Sequence, residues 1–84
     1  MFRPEEIQAR LRQQPFRPFR IVASEGLRYD IYHPELVMVG ERDLAIGLPG
    51  PGNGPIYQRL VMVALMHVVA LEQLPAKTAN GPAS

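Results

Sequence analysis

From Phe19 onward the chain reads as short strands separated by turn residues, and this pattern constrains the fold more than any other feature. Leu27 to Tyr32 is the clearest case. Leu27, Tyr29 and Ile31 alternate with Arg28, Asp30 and Tyr32, the period of a strand with one buried face. Phe19 to Ser24 precedes it, with Ile21 and Ala23 on one side. Glu25-Gly26 between them reads as a tight turn, with glycine where a positive φ is needed. His33-Pro34 bends the chain, because proline cannot donate in the middle of a sheet. Leu36 to Val39 and Leu44 to Leu48 are further strands, joined by the charged turn Glu41-Arg42-Asp43.

The segment PGPGNGP, Pro49 to Pro55, holds three prolines and three glycines and is read as a surface loop within the domain. Ile56 to Ala64 then forms a strand that is apolar on both sides. Val61 and Val63 alternate with Leu60, Met62 and Ala64. Leu65-Met66 is a tight corner and His67 to Glu72 a last strand. Residues 65–71 also suit a helix on composition, but Val61, Val63, Val68 and Val69 favour strand.

Before the strands, Phe2 to Gln14 reads as an amphipathic helix. Pro4 suits the first helical position. Glu5 and Glu6 fall in the first turn, where the helix dipole favours acids. Ile7 and Leu11 share a face, and with Arg3 as cap Phe2 and Ile7 take the two places of a hydrophobic staple. Pro15 ends the helix, because the residue before a proline resists the α region. PFRPF, Pro15 to Phe19, is a stiff connector whose Phe16 and Phe19 anchor in the core. The expected fold is α+β and mainly β. It has one N-terminal helix and a five- or six-stranded, strongly bent antiparallel sheet or small open barrel. Residues 1–74 form the single domain and residues 75–84 a flexible tail.

At 84 residues such a domain buries only about 60–65% of the surface its unfolded chain exposes, so association between copies is a natural source of added stability. There is no cysteine, which excludes disulfides, thiolate zinc sites and cysteine nucleophiles. The N-terminal segment lacks the apolar run of a signal peptide. The longest near-apolar stretch, Leu60 to Leu71, is interrupted by His67 and is short of the ~20 residues a bilayer span requires. A cytoplasmic location is expected.

The residues that carry catalysis elsewhere form no recognisable pattern here. His33 and His67, the only histidines, have no metal-ligand spacing even with Glu35 or Asp30 as a third ligand. Glu25, Asp30, Glu35, Glu41 and Asp43 fall mostly at turns, where they are solvated. Ser24 is not placed for a nucleophilic triad. The glycine-rich loop lacks the Lys-Ser/Thr pair and following helix of a phosphate cradle. No enzyme activity, cofactor or metal is expected.

Two surfaces remain. Residues 1–20 hold Arg3, Arg10, Arg12, Arg17 and Arg20 against Glu5 and Glu6, a net of +3 in a chain of net +1. This is a candidate nucleic-acid-binding front, with Phe16, Phe19 or Tyr32 available for stacking. The second is Leu60, Met62, Ala64 and Met66, a candidate oligomer interface, because so short a chain has little to cover the second face of an apolar strand.

The runs PFRPFRIVASEGLRYDIYHPELVMVG, Pro15 to Gly40, and IYQRLVMVALMHVVALEQL, Ile56 to Leu74, resemble a family of short, uncharacterised bacterial proteins. These share a PFRPFRI…G…Y.I.HPE core and a VAL.HVV.LE.L end. That resemblance implies a folded domain and brings no activity with it. The order of helix, bent strands, loop, corner and last strand is similar to Sm-like small barrels, which implies ring formation through strand edges and RNA binding. The Asp-x-Asn and Arg-Gly motifs of that class are replaced here by Gly40-Glu41-Arg42-Asp43 and Ala64-Leu65-Met66-His67. The expected function is therefore a non-enzymatic small-barrel interaction module, a homo-oligomer built through strand edges or the Leu60–Met66 face. Sm-like nucleic-acid binding by the N-terminal arginines is the alternative.

Overall fold

The computed structural model describes residues 1–51 and 54–75. The expected tail therefore lies almost wholly outside the described residues, as does the centre of the proline–glycine loop. Helix α1 spans Pro4–Leu11. Six strands follow: β1 Phe19–Ala23, β2 Arg28–Ile31, β3 Val37–Val39, β4 Asp43–Pro49, β5 Tyr57–Ala64 and β6 Val68–Gln73. They form two three-stranded antiparallel sheets, ordered β2-β1-β6 and β3-β4-β5. The fold is mainly β behind one helix, as the sequence implies, but the two sheets are not joined into a closed barrel.

The helix begins where the sequence places it. Pro4 is at its first position, and the Glu6 carboxylate accepts a hydrogen bond from the Arg3 backbone N–H at 2.7 Å. It ends earlier than Gln14. Arg12 N–H still reaches the carbonyls of Gln8 and Ala9, but the approach to Pro15 draws the chain out of the α region. The Gln14–Pro15 peptide is cis.

The chain passes between the sheets at two 3-10 corners. Pro34–Leu36 ends the first sheet at β2 and starts the second at β3, and Leu65–His67 returns the chain from β5 to β6. Proline fits the first corner because its fixed φ suits the start of a 3-10 turn and its missing N–H is not needed there. The segment that composition left open between helix and strand divides in two. Leu65–His67 is the 3-10 corner and Val68–Gln73 is strand, the β-branched residues having prevailed where β1 offers a partner.

The core lies between the sheets and is closed by the helix. Ile7 and Leu11 from α1 meet Phe19 and Ile21 of β1, Ile31 of β2, Val37 of β3, Leu44 and Ile46 of β4, Val63 of β5 and Leu65 from the second corner. Six of these side chains (Phe19, Ile7, Ile21, Leu44, Ile46 and Leu65) are fully enclosed, and no polar or charged residue is buried among the described residues. Phe16 packs on Phe19 edge-to-face with ring centroids 6.2 Å apart, as an anchoring pair should. Truncating the centre of this core removes both transfer energy and packing. Ile46→Ala is expected to lower the unfolding free energy by about 2–5 kcal/mol, measured by urea denaturation.

The β1–β2 turn has one unusual member. Gly26 has φ 80°, and Glu25 before it also lies in the left-handed region at φ 67°. The loop holds three residues, Ser24 to Gly26, and a bulky glutamate pays a steric cost in the left-handed region that Asn and Gly tolerate better. Glu25→Asn is expected to raise the unfolding free energy by about 0.5–1 kcal/mol, measured in dilute solution.

Candidate functional site

The outer face of the second sheet is where unsatisfied apolar surface concentrates. Strand register decides its composition. Met38 of β3 stands opposite Ala45 of β4, Ala45 opposite Met62 of β5, and Gly47 opposite Leu60. All point away from the core, because their neighbours Val37, Leu44, Ile46 and Val63 point into it. Met38, Leu60 and Met62 are 69%, 53% and 61% exposed. Ala45 and Gly47 make a low strip along β4 between these larger side chains, so the face is a shallow trough with apolar rims.

Part of the trough floor is fixed sterically. A Cβ on Gly47 would lie 2.9 Å from Tyr57 Cβ and 3.3 Å from the Leu36 carbonyl oxygen. Only glycine lets β4 lie this close to both neighbours.

Of the four residues read from sequence as an interface, Leu60 and Met62 share the face, and Ala64 continues it toward β4's Asp43. Met66 does not. The 3-10 corner carries it to a second apolar concavity of about 320 Å³, which it lines with Phe2, Pro4 and Leu65 between Arg3, Glu41 and Arg42. Strand alternation was extended through a corner where it no longer applies. Met38, Ala45 and Gly47 were missed because they join the face only through the pairing of β3 and β4 with β5, which no local spacing encodes.

β5 is also the outer strand of its sheet, bonded to β4 alone. Beside its free edge lies a cleft of about 330 Å³ between the sheets. Leu27 and Tyr29 form one wall and Met62, Val63 and Ala64 the other, with Ser24, Glu25 and His67 at the end. The Ser24 hydroxyl donates to the His67 carbonyl at 3.2 Å and ties the two turns together.

The five N-terminal arginines differ in their surroundings. Arg20 is held by both neighbouring strands. Its Nε and Nη2 donate to the two Asp30 oxygens at 2.7 and 3.3 Å, and its Nη1 lies 3.8 Å from Glu72. Register puts Arg20 directly opposite both acids, the arrangement in which cross-strand charges attract. The hydrogen bond to Asp30 raises the Arg20 pKa further above its usual value, helped by the charges of Asp30, Glu72 and Tyr32 and opposed by partial desolvation. Arg10 lies over the Phe19 ring, 5.5 Å from its centre, and shields the core as a cation over a π face. Arg3, Arg12 and Arg17 are exposed, with Arg3 and Arg12 at opposite ends of α1.

His33 and His67 stand at different corners, each as the residue flanking or ending a 3-10 turn. Among the described residues no group of three or more His, Cys, Asp and Glu side chains is placed to hold a metal ion, and no helix is long and apolar enough to cross a membrane. Comparison with protein-family models, with curated proteins and with solved structures returned no match for this chain.

The trough makes opposite demands on its floor and its rim. Gly47→Ala is expected to cost about 1–3 kcal/mol of stability by overpacking against Tyr57 and backbone. Met38→Ser on the open rim is expected to change it by no more than about 0.5 kcal/mol. Parallel urea titrations of the two variants check both.

Proposed function

We propose that this protein is a non-enzymatic interaction module that associates with copies of itself through β5, using its apolar outer face and its unpaired edge. The observation that carries this reading is the trough: Met38, Leu60 and Met62 are each more than half exposed on one continuous sheet face. Single exposed apolar residues are ordinary on a folded surface. A set of them on one sheet face, on β3 and β5 either side of the buried Ala45 and Gly47 of β4, marks an interface. Methionine suits such a surface, because its flexible, polarisable chain adapts to what it meets.

The free edge supports the same reading. A long, apolar, uncovered edge strand is a template for pairing, and proteins that stay single-copy blunt such edges with charge, proline or bulges. The module is read as a small-barrel relative of the Sm-like kind, with helix, bent strands and a 3-10 corner before the last strand, left open along β5.

Multi-angle light scattering across a concentration series tests the proposal. The wild-type chain should show a defined species larger than a monomer, and Met62→Lys should shift it toward monomer while its far-ultraviolet circular dichroism stays unchanged. A monomeric wild type at the highest concentrations overturns the reading.

A further inference from the structure

The geometry points to a specific partner arrangement: a closed two-fold dimer in which β5 pairs antiparallel with β5 of a second copy, centred on Val61, with Arg59 of each copy entering the other's cleft toward Glu25. This rests on the self-association reading and adds to it the strand, the register and the charge pair.

The choice of strand follows from how the edges are defended. β2, β3, β5 and β6 are all outer strands. β2 carries Arg28 and Asp30 within four residues, β3 has only three residues, and β6 carries Glu72. β5 has eight residues, no proline and one charge, Arg59. It is the longest of the four outer strands, and its one charge and the irregularity in its pairing with β4 lie toward one end, leaving Leu60 to Ala64 open for pairing. Pairing a strand with its own copy is self-complementary and closes after two subunits.

The register follows from faces and charge. Antiparallel neighbours directly opposite one another project to the same side of a sheet. Continuous faces therefore require outward Leu60 or Met62 to oppose outward residues, and inward Val61 to oppose inward ones. Centring on Arg59 would place two guanidinium groups side by side, which is repulsive. Centring on Val61 sets Leu60 opposite Met62 of the second copy, so these outward side chains pack on one another and cover part of the trough's rim at the junction. It also sets Arg59 opposite Val63 of the second copy.

Val63 lines the cleft beside the free edge, and Glu25 is the one charged residue lining that cleft. Arg59 lies on the same side of its strand as Val61 and Val63 and pairs in register with inward Leu48. An arginine entering there would lay its aliphatic stem along Leu27 and Tyr29 and bring its charge to Glu25. Among the described residues neither Arg59 nor Glu25 is in an ion pair.

Backbone strain points to the same residue. Glu25 occupies a left-handed position that Asn or Gly would fill with less cost. Such strain, kept at the mouth of a cleft, is a mark of use. The two-fold offers that use. A standard interface buries about 800 Å² per partner. One strand edge with two flanking apolar side chains sits at or below this size, so the dimer should dissociate on dilution.

Sedimentation velocity over a dilution series tests the arrangement with four variants. Wild type should form a species of two copies and no larger. Arg59→Glu and Glu25→Arg should each weaken it about tenfold or more, and the double exchange should recover most of the loss. Glu25→Asn, which relieves the turn, should fold at least as stably yet still weaken the dimer, so loss of association cannot be loss of fold. If the single charge reversals leave the dimer intact, or if the double exchange recovers nothing, the two-fold is overturned while self-association stands. Assemblies larger than two also overturn it. A monomeric wild type overturns both.

Discussion

Neither three-stranded sheet of this protein can stand by itself. Each turns one apolar face inward, and among the described residues that face is covered by the other sheet, by Ile7 and Leu11 of an eight-residue helix, and by Leu65, Phe2 and Phe16 from the segments outside helix and strands. A helix this short is marginal in water without tertiary packing, and a sheet of this size needs a packed face to persist. The three parts therefore form together. The two 3-10 corners make that possible by passing the chain from one sheet to the other without long connections. The outer faces follow from the same fact: among the described residues the helix is spent on the inside.

The contrast between the two outer faces is instructive. On the first sheet, Arg20 is flanked by Asp30 and Glu72, so that face is satisfied by charge across three strands. On the second sheet the equivalent positions are Met38, Ala45 and Met62. The two surfaces have the same topology, and only one is finished for contact with water. Together with the open cleft beside β5, this asymmetry concentrates exposed apolar surface on one side.

Most of the fold was legible in the sequence because its signals are local. Strand alternation over Arg28 to Ile31 (Leu27, expected on the same face, is exposed and outside the strand), proline at the first helical position, Glu-Gly at the turn and proline at the β2–β3 corner each act within a few residues. The division of the strands into two sheets was not legible, because it depends on which distant strands meet. The interface candidates divide the same way. Leu60 and Met62 could be read from one strand. Met38 and Ala45 required cross-strand register, and Met66 lies off the Leu60–Met62 face because the corner interrupts the alternation. Two of the five arginines had structural partners, Asp30 and Phe19, that only the tertiary fold brings near.

The core described above contains no buried polar side chain among the described residues. Polar groups in an interior act as an orientation code, because each must find its own partner. An interior of aliphatic and aromatic groups has no such code and tolerates exchanges that keep volume and pattern. Over evolutionary time the interior of this protein is thus free to drift among Leu, Ile, Val and Phe. Its enduring signature should lie in the corners and turns, in residues such as Pro34, Gly26 and Gly47, where a single geometry is enforced.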